Sequence, residues 1–176
     1  MTGAIRRAGA GDAGAIAALH VVGMRTTYHG ILPDRYLESE IEAERRAAWV
    51  RFFAAPPPGA AAFIAAGVRS LDGFIAFQHG AEAGYDAVIE NLHVAPGARG
   101  RGLGKRLLRV AAEYMIAAGL GAVCLWVYDD NPAAIRFYTA LGGVIDAHGT
   151  DPFAGADALH SRIGWHDLTV LRDRCG

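Results

Sequence analysis

The residues best suited to chemistry lie in the stretch ENLHVAPGARGRGLGKRLLR, which spans residues 90–109. A short apolar strand stops at Pro96 and Gly97, and leucines then recur at helical spacing from Leu103 onward. A turn that opens a helix leaves several backbone N–H groups unpaired at the partly positive end of the helix dipole, and glycines keep that main chain accessible. Cationic side chains surround the turn: Arg99, Arg101, Lys105, Arg106 and Arg109. The stretch therefore predicts a site for a phosphate or pyrophosphate group.

The spacing of the glycines excludes two common phosphate-binding loops. A nucleoside-triphosphatase loop needs Gly, four residues and then Gly-Lys-Ser/Thr, but Arg99 stands at the first glycine position and Arg106 at the hydroxyl position. The dinucleotide fingerprint G-x-G-x-x-G fails because its third glycine is replaced by Lys105 or by Leu107, depending on the register. What remains is Arg-x-x-Gly-x-Gly at residues 99–104, after a strand that ends Leu-x-Val-x-Pro.

That pattern resembles the acetyl-CoA-binding motif of the GNAT superfamily of N-acetyltransferases, Arg/Gln-x-x-Gly-x-Gly/Ala. A second stretch, VCLWVYDDNPAAIRFYTALGG, resembles the second cofactor motif of the family, with Asn131 at the head of a helix and Tyr138 within it. The resemblance implies that the chain binds acetyl-CoA. The cofactor-binding residues that it implies are Leu92, His93, Val94, Arg99, Gly100, Arg101, Gly102, Leu103, Gly104, Lys105, Asn131 and Tyr138.

Acetyl transfer from a thioester to an amine needs an acid for the departing thiolate and a donor for the thioester carbonyl. The resemblance implies that Tyr138 is the acid, although Phe137, Tyr138 and Leu141 also fit the core face of an amphipathic helix. Members of the family use a main-chain N–H for the carbonyl, at a bulge that the resemblance places around His93 and Val94. Asn131 and the proline after it also fit a helix N-cap without any ligand.

The acceptor ammonium needs a base, and Glu90 is the candidate. It stands within an apolar strand, where burial would raise the pKa of its carboxyl group; a carboxylate that faces solvent or pairs with an arginine is the alternative. His93 ranks second, because side-chain alternation along a regular strand directs it away from Glu90.

The resemblance also places the first two helices beside the acceptor site. Between them the segment TTYHGILP carries Tyr28 and His29, which together with Glu90 are the candidate acceptor-binding residues. The alternative is that Tyr28 packs in the core and the neighbouring charges are solvated. The connection TDPFAGADALHS, residues 150–161, is long for a hairpin and is also predicted to line the acceptor pocket.

Hydrophobic periodicity and turn signals predict the flanking elements. Residues 4–8 form a strand, and Asp12 is the N-cap of a helix whose stripe includes Leu19, His20 and Met24. Further strands are predicted at 61–68, 73–78, 85–94, 123–128, 144–147 and 160–165, and further helices after residue 34, after residue 102 and at 132–141. The order β-α-α-β-β-β-α-β-α-β-β matches the GNAT order, which implies an α/β (α+β) fold with a mixed, mostly antiparallel central sheet flanked by helices. The ending RIGWHDLTVL resembles the last strand of small-molecule enzymes of the family.

Composition excludes several functional classes. The 176 residues suit a single domain, 1–176, and a formal net charge of −1 offers no general field for nucleic acid. Residues 110–127 are apolar, but Gly119 and Gly121 interrupt them, which predicts a helix followed by a strand rather than a membrane span. The N-terminus lacks the apolar segment of a secretory signal, so the expected compartment is the cytoplasm.

Neither the cysteines nor the histidines predict a cross-link or a metal centre. Cys124 and Cys175 are expected to be reduced thiols, and His148, His160 and His166 match no zinc spacing. The function that follows is N-acetyl transfer by direct attack of a primary amine of a small molecule or peptide on acetyl-CoA. The alternative, from another class, is a non-catalytic acyl-CoA-binding sensor. The resemblance also allows a homodimer, and the identity of the amine, the acyl chain and O-acetylation stay open.

Overall fold

Seven strands form one sheet in the computed structural model, which describes residues 4–68, 70–80, 82–152 and 158–176. The strands are β1 Ile5–Arg7, β2 Ala61–Ala66, β3 Leu71–His79, β4 Ala87–Val94, β5 Val123–Tyr128, β6 Val144–Thr150 and β7 Leu159–Trp165. Their order in the sheet is β1-β2-β3-β4-β5-β7-β6, and every neighbouring pair is antiparallel except β4 and β5. The predicted mixed, mostly antiparallel sheet is confirmed.

Side-chain alternation along the strands divides the core into two layers. The helices are α1 Ala13–Thr27, α2 Ile41–Ala54, α3 Leu103–Ala117, α4 Pro132–Ala140 and α5 Leu168–Arg174. On β3, Ile75 and Phe77 pack against α3, whereas Phe74 and Ala76 pack against α1 and α2 on the opposite face. One face of the sheet is therefore covered by α3 and the opposite face by α1 and α2.

The parallel pairing of β4 with β5 is short. β4 and β5 share two residue pairs, Ala87 with Val123 and Val88 with Cys124, and no pair beyond them joins the two strands in the described residues. The connection between them runs through α3, as a parallel crossover requires. The two strands consequently separate toward the carboxyl end of β4, and the sheet opens there.

A β-bulge changes which side chains of β4 face each layer. Ala76 pairs with Asn91 and Phe77 pairs with Ile89, so Glu90 has no partner on β3. The bulge expected near His93 and Val94 therefore lies at Glu90, and the prediction of its position was wrong. Because the extra residue reverses the alternation, His93 and Glu90 project from the same face of the sheet, the face of α1 and α2. The expectation that His93 points away from Glu90 was wrong for this reason.

Asp12 occupies the N-cap position of α1, as predicted, but its side chain makes no capping hydrogen bond to that helix; the carboxylate instead accepts a hydrogen bond from Gly9 N at 2.9 Å and pairs with Arg6 at 2.8 Å. The ending RIGWHDLTVL is strand only as far as Trp165, and the rest enters α5, which the predicted order lacked. Asp167 caps α5 by accepting from Thr169 N at 2.8 Å, a local signal that the sequence carried.

The strand at 123–128 has the predicted bounds, and the cap predicted at Asn131 is confirmed, since its side chain accepts from Ala134 N at 3.1 Å. Cys124 and Cys175 are both free and buried. Across the described ranges, no helix is long and apolar enough to cross a membrane.

Gly164 allows β7 to pack closely against Tyr85, and it offers a stability test. A Cβ at residue 164 would lie 1.8 Å from the Tyr85 hydroxyl, which is held by a 2.7 Å hydrogen bond to Asp146 Oδ2. We expect Gly164→Ala to lower the free energy of unfolding by about 1–3 kcal/mol, measured by urea denaturation, because the ring must move. Gly14→Ala in α1, whose Cβ would meet no atom within 4 Å, should leave stability unchanged or raise it. Equal effects of the two changes would contradict this packing argument.

Candidate active site

A cleft of about 710 Å³ opens where β4 and β5 separate. Its walls come from α1, α2, β4 and β5 at one end and from the turn before α3 and the face of α4 at the other. The cleft therefore joins the segment predicted to bind the cofactor to the segments predicted to bind the acceptor. Most of the predicted cofactor residues line it: Leu92, His93, Val94, Arg99, Gly100, Gly102, Leu103, Gly104, Lys105, Asn131 and Tyr138.

The turn before α3 presents a continuous run of main-chain donors. The amides of residues 100–105 have no hydrogen-bond acceptor within the described part of the chain, and the first amide of the helix with a partner is that of Arg106. Gly100 and Gly102 have φ values of 74° and 75°, a left-handed conformation that side chains rarely adopt. A Cβ at either position would meet no atom within 4 Å, so the space beside the turn is open. Open donors at a helix start are suited to an anionic ligand.

The other residues of the turn differ in what they contribute. Arg99 folds back toward the strand, with its Nε donating to the Val94 carbonyl at 3.1 Å, and Lys105 also lines the cleft. Arg101 is exposed and is not among the lining residues. At Gly104 a Cβ would lie 3.3 Å from the ring of Phe137, so this glycine has a packing role in bringing α3 close to α4.

Tyr138 combines a packing role with a place on the cleft wall. Its ring lies 5.1 Å from that of Phe137 and 6.2 Å from that of Trp165, and it packs at the edge of the α3 core. The side chain is half-buried and lines the cleft. Burial raises the pKa of its hydroxyl, with a smaller contribution from Tyr28, so the phenol holds its proton at neutral pH.

Glu90 stands on the wall of the cleft, at the bulge. Its side chain is open to the cleft, and Gln78 Nε2 donates to Oε1 at 2.7 Å. The pKa of the carboxyl group is raised, chiefly because the cleft walls withdraw it from bulk water and secondarily because of the negative charge of Glu82. The hydrogen bond from Gln78 acts in the opposite direction. The partner is thus a neutral amide, which neither of the sequence interpretations of Glu90 anticipated.

Two histidines lie together at the α1 end of the cleft. The rings of His20 and His93 are 4.7 Å apart, and His93 also stacks on Phe74 at 5.2 Å. Gly23 makes room for this pair, since a Cβ there would lie 2.1 Å from Nδ1 of His93. Burial, with the nearby charge of Arg99, lowers the pKa of His93 to about 4. Burial, with His93 and Arg45 beside it, lowers the pKa of His20 to about 2.

The two acceptor candidates between α1 and α2, Tyr28 and His29, lie in different environments. Tyr28 is half-buried and lines the cleft, and its ring centroid lies 5.2 Å from that of Tyr128 in an edge-to-face arrangement. His29 is not a lining residue; its side chain is 79% exposed, with Nε2 at 3.8 Å from Asp34 Oδ1. The role predicted for His29 stays a prediction. Residues 153–157, in the middle of the connection predicted to line the acceptor pocket, lie outside the described residues.

Sequence reasoning missed several residues that line the cleft at the end formed by α1, α2, β4 and β5, where the acceptor was predicted to bind. They are His20, Met24, Thr27, Leu32, Arg45, Trp126 and Tyr128. His20 was visible only as a polar member of an apolar helical stripe, and the charges of α2 resembled an ordinary solvated face. Among the residues that the structure describes, no group of three or more His, Cys, Asp or Glu side chains could hold a metal ion.

Comparison with known proteins identifies relatives along most of the chain. The family described as "Acetyltransferase (GNAT) family" matches residues 24–142. An uncharacterized N-acetyltransferase of Bacillus subtilis, YuaI, is 30% identical over 176 residues, which cover 96% of this chain and 95% of that protein.

Solved structures share the fold at lower identity. The PaiA N-acetyltransferase of Thermoplasma acidophilum, in complex with coenzyme A, has a TM-score of 0.70 and 22% identity, over 90% of this chain and 96% of that one. YncA, a putative acetyltransferase of Salmonella typhimurium solved with acetyl-CoA, has a TM-score of 0.67 and 20% identity, over 96% of this chain and 94% of that one.

The contacts of Glu90 predict opposite effects of two neighbouring substitutions on its pKa. Gln78→Leu removes the hydrogen bond that stabilises the carboxylate, so we expect the pKa of Glu90 to rise further. Glu82→Gln removes a nearby negative charge, so we expect the pKa to fall. A pH titration of the Glu90 carboxyl carbon by NMR measures both, and Glu90→Gln identifies the signal. Shifts in the same direction would contradict the assigned contacts.

Proposed function

Since the chain belongs to the GNAT family of acetyltransferases, we propose that it transfers an acetyl group from acetyl-CoA to a primary amine of a small molecule or peptide by direct attack. Acetyl-CoA, when bound, supplies the acetyl group as an activated thioester. The observation that carries the proposal is that the turn with its unpaired amides, Glu90 and Tyr138 all line the same cleft. The acceptor and the thioester would meet between these two side chains.

The diphosphate of coenzyme A fits the turn before α3. The amides of residues 100–105 offer donors that no other part of the described chain satisfies, and the open space beside Gly100 and Gly102 accommodates a bulky anion. Lys105 adds a positive charge on the cleft wall. Arg99 contributes through its charge while its Nε stays bound to β4. These features support coenzyme A rather than a neutral ligand at this end.

The open edge of β4 supplies donors for the thioester carbonyl. Ala95 N donates to Asp72 O at 2.8 Å, toward the β3 side. Because successive residues of a strand direct their N–H groups to opposite edges, the N–H groups of Val94 and Leu92 are directed toward the edge that β5 has left. A preorganised donor of this kind contributes about 3 kcal/mol to lowering the barrier. This supports an N–H at Val94 or Leu92 as the group that polarises the carbonyl.

Proton transfers complete the reaction. An alkylammonium with a pKa near 10 must lose a proton before its nitrogen can attack, and Glu90 accepts that proton directly or through water. As the new C–N bond forms, the C–S bond breaks, and Tyr138 donates its phenolic proton to the departing thiolate. The nitrogen then releases its second proton, and the Tyr138 phenolate takes up a proton from solvent. The raised pKa of Glu90 makes it a stronger base than an ordinary glutamate, and the raised pKa of Tyr138 keeps its proton available.

The anchor is tested by a pair of glycine substitutions with the same backbone conformation. We expect Gly102→Glu to weaken coenzyme A binding by at least about 100-fold, because a carboxylate would face the diphosphate. Gly119→Glu is the matched control: Gly119 has a φ of 83°, a Cβ there would meet nothing within 4 Å, and it lies at the other end of α3. Calorimetry measures both affinities. Retained affinity in Gly102→Glu would refute the anchor.

The acid is tested by removing one hydroxyl. We expect Tyr138→Phe to slow turnover roughly 100-fold, with little change in coenzyme A affinity, because the thiolate loses its proton donor. Tyr114→Phe, on the buried side of α3, should keep wild-type turnover. The assay is release of the coenzyme A thiol across amino acids, polyamines, aminoglycosides and peptide N-termini.

The same assay separates the enzyme from the alternative of an acyl-CoA sensor. A sensor would bind acetyl-CoA but release no thiol with any amine. Unchanged turnover in Tyr138→Phe would remove the role proposed for that residue without affecting the anchor.

A further inference from the structure

His20 presents one fixed hydrogen-bond donor to the cleft. The side chain is only 4% exposed, and Trp49 Nε1 donates to its Nδ1 at 3.1 Å. An indole N–H can only donate, so the neutral imidazole of His20 carries its proton on Nε2. Nε2 has no hydrogen-bond partner within the described ranges. Every fully buried side-chain nitrogen or oxygen there has a hydrogen-bond partner, so the unpartnered Nε2 is accessible to solvent. Since His20 lines the cleft, this N–H is open to a ligand there.

Arg45 contributes a second donor at the same end. It is half-buried on α2 and lines the cleft. Its Nε and Nη2 bind the carboxylate of Glu44, which also accepts a 2.8 Å hydrogen bond from the Tyr36 hydroxyl. The side chain of Tyr36 also forms a hydrogen bond with the guanidinium. A guanidinium has five N–H donors and the contacts with Glu44 use two of them, so Arg45 retains further donors for a ligand in the cleft.

The electrostatic environment at this end favours negative charge. Burial is the main cause of the lowered pKa of both imidazoles, and the positive charges of Arg45 near His20 and of Arg99 near His93 lower the pKa further. The carboxylate of Glu90 stands on another part of the same wall. The acceptor end of the cleft therefore carries opposite charges at two places.

We propose that His20 and Arg45 form an oxyanion subsite, so that the preferred acceptor is a small amine that also carries a carboxylate. Amino acids are the simplest molecules of this class. The inference rests on the proposed acetyl transfer: the ammonium group of the acceptor lies toward Glu90 and its carboxylate toward the Nε2–H of His20 and the remaining N–H donors of Arg45. A phosphate on a short aminoalkyl chain offers the same oxyanion chemistry.

The subsite also disfavours acceptors that carry two cationic groups. A second ammonium at Arg45 would face a guanidinium and a donor N–H, neither of which can accept a hydrogen bond. The neutral imidazole of His20 cannot take the proton of that group through Nδ1, which is occupied by Trp49. Polyamines are therefore poorer acceptors than amino acids of similar length.

Binding measured separately from turnover tests the subsite. Calorimetry on the coenzyme A complex would compare each of a panel of L-amino acids with its own amide, and O-phosphoethanolamine with ethanolamine. We expect the anionic member of a pair to bind about tenfold or more tightly, because a charged hydrogen bond is lost in the neutral one. Arg45→Gln should abolish the difference. Arg46→Gln, the same change at the next residue, which is exposed and does not line the cleft, should preserve it.

A second variant keeps the test decisive if Arg45→Gln fails to fold. His20→Phe retains an aromatic ring but has no donor, and it should reduce the same preference. A preference for the phosphate pair alone would support the subsite with phosphate as its ligand. Equal binding of both members of every pair, binding of none of them, or a preference that survives in a folded Arg45→Gln variant would overturn it.

Thiol release with the same pairs separates this inference from the proposed function. Anionic preference in binding without thiol release from any acceptor would support the subsite and refute acetyl transfer. Thiol release that is equal for amino acids and their amides, together with equal binding, would support acetyl transfer and refute the subsite.

Discussion

The separation of β4 from β5 is the constraint on which the site depends. Two residue pairs join the strands, and from Ile89 onward β4 has no neighbour on that edge among the described residues. Main-chain groups on such an edge need partners from solvent, from another segment or from a ligand. One topological feature thus produces both the volume of the cleft and a row of donors along its wall. The turn before α3 continues that row with the amides of residues 100–105.

The bulge at Glu90 decides which side chains use that space. In a regular strand, Glu90 would face α1 and α2 while His93 would face the α3 core, and the two could not act on one ligand. The single extra residue directs Leu92 into the α3 core and turns His93 to the other face. Room for the imidazole then depends on Gly23 of α1, where any side chain would collide with it. Strand geometry and helix composition are therefore coupled at this wall.

The sequence revealed the parts of the site that are local along the chain. The glycine turn and the cap at Asn131 are each written within a few residues, so their patterns could be read directly. The bulge depends on pairing with β3, and the cleft position of Arg45 depends on how α2 packs, so neither has a local signal. The helix α5 differs, since its cap at Asp167 was readable but was obscured by the apolar residues that follow. His29 shows the opposite problem: its position in the loop suggested a ligand contact, but the structure leaves it at the surface.

One end of the cleft presents main-chain groups and the other presents side chains, so substitutions affect the two ends differently. The turn before α3 offers main-chain amides, whose presence does not depend on side-chain identity except where Gly100 and Gly102 need their left-handed conformation. The end proposed to bind the acceptor offers side chains from α1, α2 and β4. Its donors are oriented from behind, His20 by Trp49 and Arg45 by Glu44. On the proposed assignment, a substitution at Glu44 of α2 therefore changes acceptor binding through Arg45 without contacting the acceptor, while the amides at the other end keep their geometry.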